Sequence, residues 1–232
     1  MTRNLFIMLA AFAMAITLSG CKSCKSSTED NTETSKDVKV SYFNKLDIDG
    51  VANIYFTQGD KPSVKIVGNK KYVDKTIIKQ ENETLEIDTK ITSVSGLNFS
   101  GRKKLDIYIT SPDLIEIESD GVGNIRINNK LDTDILKIES DGVGNIHIDD
   151  LTCDNIKIES DGVGNIKIVK LKCVSAYLNQ SGVGNMNVDN INAKYAECIM
   201  TGVGNMKLQG YIEKLNKRKN GVGKFTYKEI KK

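Results

Sequence analysis

From Ile115 onward apolar and polar residues alternate with period two, as in Ile156, Ile158 and then Ile166, Ile168. This is the pattern of a strand with one face buried, and no apolar series recurs at helical spacing. The alternating runs flank a glycine-rich phrase: "IKIESD" precedes it and "NIKIV" follows it in one repeat, "AYLNQS" and "NMNVD" in the next. The phrase reads "SDGVGNI" at Ser119, Ser140 and Ser160, then "SGVGNM" at Ser181, "TGVGNM" at Thr201 and "NGVGKF" at Asn220. Its first glycines, Gly121, Gly142, Gly162, Gly182, Gly202 and Gly221, lie 21, 20, 20, 20 and 19 residues apart. A period of this length marks a solenoid, in which each repeat is one coil stacked on the last. The prediction is an all-β chain folded as a parallel β-solenoid, a single-stranded β-helix with coils of about 20 residues. Each coil is strand, tight turn, strand, loop, with Leu131, Leu151, Leu171 or Ile191 as a third inward contact.

One such coil buries too little apolar surface to offset the entropy of ordering its backbone, so stacking must stabilise it. The phrase is then read as the corner of the coil. Gly121, Gly142, Gly162, Gly182 and Gly202 are expected to supply φ > 0 at the bend. Gly123, Gly144, Gly164, Gly184 and Gly204 let the backbones of neighbouring coils approach. Val122, Val143, Val163, Val183, Val203 and Val222 are expected to point into the core. Asn124, Asn145, Asn165, Asn185 and Asn205 are expected to stack about 4.8 Å apart, each amide bonding to the next coil. A ligand-contacting Gly-Asn edge is the weaker alternative, because residues identical in every coil serve the shared geometry.

The segment before the repeats is less regular. "LDIDGVANIYF" from Leu46 is an early form of the phrase, and "SVKIVG", "TLEID" and "KLDIYIT" alternate in the same way. Residues 38–112 are therefore read as wider coils with longer loops, and 113–232 as the regular repeats with a polar cap. In the cap, Lys217, Arg218, Lys219 and Lys224 break the apolar pattern and would guard the open edge.

The first 20 residues look like a signal peptide: Arg3, the apolar run "LFIMLAAFAMAITL", then "LSGC" ending at Cys21. The run is short for a membrane span, which takes about 20 apolar residues. Small residues before a cysteine resemble the bacterial lipobox, making Cys21 the lipid-attachment site. Residues 21–37 are polar and read as a flexible tether. The expectation is an exported lipoprotein, anchored to the outer membrane, with the side it faces left open.

With 33 basic and 30 acidic residues the net charge is +3, and no basic block is interleaved with aromatics. Nucleic acid is not an expected partner.

The "GVGNI" series, the early "DGVANI" and the lipoprotein-like start together resemble the bacterial head GIN domain family of "putative" auto-transporter adhesins. The likeness runs from Tyr42 to Tyr227. It implies a β-helix of pectin-lyase-like shape, taken as right-handed, without the lyases' catalytic residues, and a role in adhesion.

Candidate chemistry must break the repeat or line up along it. Glu118, Glu139 and Glu159 stack in register, as do Asp120, Asp141 and Asp161, and the glutamates form the candidate ligand face. Such columns suit Ca²⁺ or sugar hydroxyls, but they read more simply as a solvated face neutralised by Lys137 and Lys157. Tyr177, Tyr195 and Tyr211 are the aromatic candidates for a glycan platform. His147, the only histidine, falls at an outward position and reads as a surface residue. Cys153 and Cys173 should be vertical neighbours, either bridged or buried as thiols; Cys198 takes an inward aliphatic slot. No spacing suggests zinc.

No catalytic residue, metal or cofactor is expected. The leading expectation is a lipid-anchored adhesin or ligand-binding scaffold whose partner is a glycan, a matrix component or an envelope protein. The alternatives are a carbohydrate-active lyase or hydrolase on a β-helix, and a structural or regulatory envelope component.

Overall fold

The computed structural model describes residues 32–89 and 104–230. The signal-peptide and lipid-attachment readings, including Cys21, lie outside the described residues. In chain order the elements begin with β1 (Glu33–Val38), β2 (Lys45–Asp49), β3 (Asn53–Gln58) and β4 (Ser63–Asn69). A single helical turn, α1 (Lys70–Val73), leads to β5 (Thr76–Glu81), β6 (Thr84–Thr89), β7 (Leu105–Ser111) and β8 (Glu116–Ser119). The repeats supply β9 (Ile125–Asp132), β10 (Ile135–Ser140), β11 (Ile146–Thr152) and β12 (Asn155–Ser160). Three long strands follow, β13 (Ile166–Gln180), β14 (Met186–Met200) and β15 (Met206–Lys219), and β16 (Phe225–Glu229) ends the series.

These strands stack in parallel as a β-solenoid of about six turns with ~20 residues per turn. Two faces run along it. The first, made by the strands after each glycine phrase, is β7-β3-β9-β11-β13-β14-β15-β16. The second, made by the strands before it, is β6-β2-β8-β10-β12 and then the later halves of β13, β14 and β15. In β9 through β12 the two faces are separate strands; in β13, β14 and β15 one continuous strand bends across both.

The alternation read from the sequence sets the core. Ile125, Ile146, Ile166, Met186 and Met206 form one inward column of the first face, and Ile117, Ile138, Ile158, Leu178 and Cys198 one of the second, all buried. Leu131, Leu151, Leu171 and Ile191 close the bend between the faces and are buried too. Each coil covers the apolar edge of the one before it, which supplies the stabilisation a single coil lacks.

The early segment departs from the expected wide coils. β4 runs antiparallel to β7 and β1 antiparallel to β4, while β5 runs antiparallel to β6. Alternation along a strand reports which face is buried and carries no information about a neighbour's direction. Asn82 and Glu83, at φ 48° and 64°, form the tight reversal joining β5 to β6. The antiparallel strands occupy the first coil's outer side, where no preceding coil exists to pair with it.

The corner corrects two expectations. Val143, Val163, Val183 and Val203 are about half exposed, at 51%, 52%, 52% and 50%, and do not enter the core. Strict period two, carried from Ile138 to Ile146, gives the reason: it places Gly142 and Gly144 at inward parity and Val143 at outward parity. Parity overrides hydrophobicity here. The left-handed φ also belongs to the second glycine, as at Gly204 (+144°), and not to the first. The first glycine is required by space: a Cβ on Gly142 would lie 2.1 Å from the carbonyl oxygen of Gly121, and one on Gly144 only 1.6 Å from that of Gly123.

Candidate ligand-binding faces

The corner is held by two hydrogen-bonded columns. The Val143 N–H donates to the Gly121 carbonyl at 2.9 Å, and the Gly144 N–H to the Val163 carbonyl at 2.9 Å, so the backbone ladder continues round the bend. Beside it, the Asn145 amide Nδ2 donates to Asn124 Oδ1, Asn165 to Asn145, Asn185 to Asn165 and Asn205 to Asn185, each at 2.9 Å. Each of those oxygens also accepts the backbone N–H of the next asparagine. The column starts earlier than the repeated phrase suggests: Asn124 donates to Asn53, and Asn53 to the buried Asp106, which Lys104 pairs at 2.8 Å.

On the second face the structure brings Glu118, Glu139 and Glu159 into one outward column. Asp47 and Glu86 extend it, through β2 and β6. Lys137 lies among these acids, 2.9 Å from Glu116, 3.0 Å from Glu139 and 3.9 Å from Glu118. Lys157 pairs with Glu159 at 2.6 Å, and Lys45 with Glu116 at 3.0 Å. Hydrogen bonding to Lys137, supported by Lys45, holds the Glu116 carboxyl below its ordinary value, and the bonds to Glu116 and Glu139 raise Lys137. Less well-paired acids move the other way. Desolvation, then repulsion from Glu116, Glu139 and Asp47, raises Glu118. Desolvation, then Glu86, Asp49 and Asp120, raises Asp47, and desolvation, then Asp161, Asp120, Glu139 and Glu159, raises Asp141. The lysines therefore neutralise part of the column and leave Asp47, Glu118 and Asp141 crowded by like charge. No group of His, Cys, Asp and Glu among the described residues converges as a metal site.

The first face carries a different outward column. Its register runs Lys65, Tyr108, Tyr55, Arg126, His147, Lys167, Asn187, Lys207 across β4, β7, β3, β9, β11, β13, β14 and β15. Tyr55 and Tyr108 stack with ring centroids 5.0 Å apart and planes 15° from parallel. His147 Nε2 lies 2.9 Å from Asp149 Oδ1, and the Arg126 guanidinium reaches the same oxygen at 3.5 Å. A groove of ≈ 260 Å³ beside them is lined by Asn53, Tyr55, Asn124, Ile125, Arg126, Asn145 and His147. The tyrosine pair is not among the aromatic candidates singled out in the sequence. A signal for it existed: "ANIYF" aligns with "GNIRI" and "GNIHI", which places Tyr55 in the same column as Arg126 and His147. The expected platform does not assemble, because Tyr177 and Tyr195 lie in different columns, beside Lys157 and Ser175.

At the bend opposite the glycine corner, Cys153 and Cys173 are free, buried thiols, as is Cys198 elsewhere in the core. Burial pushes all three up to about 12, which keeps them protonated and poor nucleophiles.

A family model described as "Putative auto-transporter adhesin, head GIN domain" matches residues 42–170. A crystal structure of a putative adhesin from Bacteroides fragilis NCTC 9343 is 33% identical, with a TM-score of 0.69, covering 87% of this chain and 99% of its own. A putative adhesin from Parabacteroides distasonis ATCC 8503 shares the fold at 19% identity and TM-score 0.65, covering 87% of this chain and 98% of its own. A putative lipid binding protein from the same organism does so at 17% identity and TM-score 0.51, covering 88% of this chain and 98% of its own. No curated protein matches the chain.

Proposed function

The chain belongs to the head GIN domain family, described as "Putative auto-transporter adhesin, head GIN domain", and on that premise we propose that it is a lipid-anchored envelope protein that binds a ligand along its solenoid and catalyses nothing. The observation that carries this reading is the pair of unlike outward columns, acidic on one face and aromatic-basic on the other, each displayed along the stack. Surfaces that repeat in register suit an extended partner such as a glycan, a matrix protein or an envelope protein. They offer many weak contacts that add along the partner's length.

The side-chain chemistry supports the non-enzymatic part. The one histidine is bonded to Asp149 on an open sheet face, and the three thiols among the described residues are held protonated. The Lys137 bonds to Glu116 and Glu139 engage the carboxylates an acid–base pair would need. Export and anchoring rest on the "LSGC" segment and Cys21.

The test is adhesion by cells that carry or lack the gene, to glycan and matrix-protein surfaces. Loss of attachment on deletion, restored by the wild-type chain and not by Cys21→Ala, is expected. Equal attachment with and without the gene would refute the reading. Turnover of a polysaccharide by the purified chain would replace it with the enzymatic alternative.

A further inference from the structure

The groove beside Tyr55 has an uneven supply of hydrogen-bonding groups. Asn53 Oδ1 already accepts from the Asn124 backbone N–H and amide at 3.3 and 3.1 Å. Asn124 Oδ1 accepts from the Asn145 backbone N–H and amide at 3.2 and 2.9 Å, and Asn145 Oδ1 from those of Asn165 at 3.1 and 2.9 Å. An amide oxygen has two lone pairs and its nitrogen two protons. The amide oxygens lining the groove are therefore saturated, while Asn124 and Asn145 each use one amide proton in the column and keep a second. Arg126 spends Nε on Asn128 at 2.9 Å and Nη2 on Asp149 at 3.5 Å, leaving further guanidinium protons. Two carboxylates lie close by, and both are engaged: Asp149 by Arg126, His147 and the Asn129 backbone N–H, and Asp106 by Asn53 and Lys104. What faces the groove is a set of donors on a cationic background.

One part of its wall, the Tyr55 ring, is apolar and flat. Tyr108 covers one side of the Tyr55 ring, so the other side borders the groove, next to Arg126 in the register. A flat ring wall beside unspent donors suits a sugar whose C–H face packs on the aromatic and whose exocyclic group accepts hydrogen bonds. A volume of ≈ 260 Å³ lies just below the usual range for small-ligand pockets, about 300–1,000 Å³. It accommodates a single ring of a longer chain better than an enclosed ligand.

We propose that this groove binds one uronate ring of an acidic polysaccharide, its carboxylate on Arg126 and the Asn124 and Asn145 amides and its apolar face on Tyr55. This deepens the ligand-binding reading above and rests on it.

The test is affinity electrophoresis of the full-length chain in detergent, through gels containing alginate (a polyuronate), neutral dextran or dextran sulfate. Alginate should retard the wild type and dextran should not. Arg126→Gln should weaken the alginate interaction about tenfold, the order expected for one lost charge-assisted contact, and Tyr55→Ala by about as much through the lost aromatic packing. Tyr55→Phe should retain it, and Lys79→Gln, which removes the same unit of charge at a distant edge, should match the wild type. Thermal unfolding of each variant identifies any loss that comes from misfolding. No retardation by alginate, equal retardation by dextran, or retardation unchanged in both Tyr55→Ala and Arg126→Gln would overturn the site. Dextran sulfate binding that survives both substitutions, without alginate binding, would also overturn it, since charge alone would then be acting. Cells displaying Tyr55→Ala that still adhere, while alginate binding is absent even in the wild type, would refute this site and leave the broader ligand-binding reading standing.

Discussion

The two bends of each coil solve the same problem in opposite ways. At the glycine corner the backbone itself packs: neighbouring coils meet at carbonyl oxygens, and the Gly-Val-Gly sequence is unchanged from Gly121 to Gly223. At the far bend side chains fill the space, and the inward column reads Thr133, Cys153, Cys173, Ala193 and Ile212, all buried and all different in size from one neighbour or the other. Repetition in sequence is enforced where main chain touches main chain. Where a side chain mediates the contact, volume and polarity drift from coil to coil.

The contrast is sharpest at Gly144→Ala, which should destabilise the fold by about 4 kcal/mol or more, because the clash is with the Gly123 backbone and only main chain can move to relieve it. Denaturant unfolding with an unchanged slope would measure it, and a loss of less than 1 kcal/mol would show that the corner yields. Asn145→Ala removes the acceptor for the Asn165 backbone and amide N–H groups and should cost about 1–2 kcal/mol, partly relieved by water at this exposed edge. Cys173→Ala at the variable bend trims one sulfur from a column already mixed in size. It should cost about 1 kcal/mol by the same measurement, and a cost matching Gly144→Ala would mean that the two bends are equally intolerant of change.

The smallest effect has the opposite sign. The Asp141 carboxyl is raised by desolvation and by the acids around it. Folding thus favours its protonated form, so its ionisation weakens the fold as pH rises through the raised value. Asp141→Asn should stabilise the chain at pH 7 by a few tenths of a kcal/mol. That gain should shrink as pH falls into the ordinary carboxylate range and be gone below it, which thermal unfolding at several pH values and low salt would follow.

Much of this was legible in advance. The period of the glycines and the alternation on either side of them specified the solenoid and most inward columns, because both are local consequences of stacking. At Val143 hydrophobicity and parity point to opposite faces, and the parity that joins Ile138 to Ile146 decides. The direction of β1, β4 and β5 was hidden, since pairing direction depends on which edge is vacant and not on the strand's own residues. Glu118, Glu139 and Glu159 could be aligned through a shared repeat, whereas their neighbours Asp47 and Glu86 sit where the repeat is irregular. The same irregularity concealed Tyr55 and Tyr108, which lie 53 positions apart in the chain and meet only through the register of β3 and β7.

Among the described residues, the last half of β15, from Glu213 to Lys219, pairs with β14 on one side and with no strand on the other, and it carries Lys214, Lys217, Arg218 and Lys219. A fold made of interchangeable units has no intrinsic reason to stop growing, within a molecule or between molecules. The surplus of positive charge on that rung, with Arg218 offset by Glu197 at 3.5 Å, works against edge-to-edge pairing with a second chain and so against growth into a fibre.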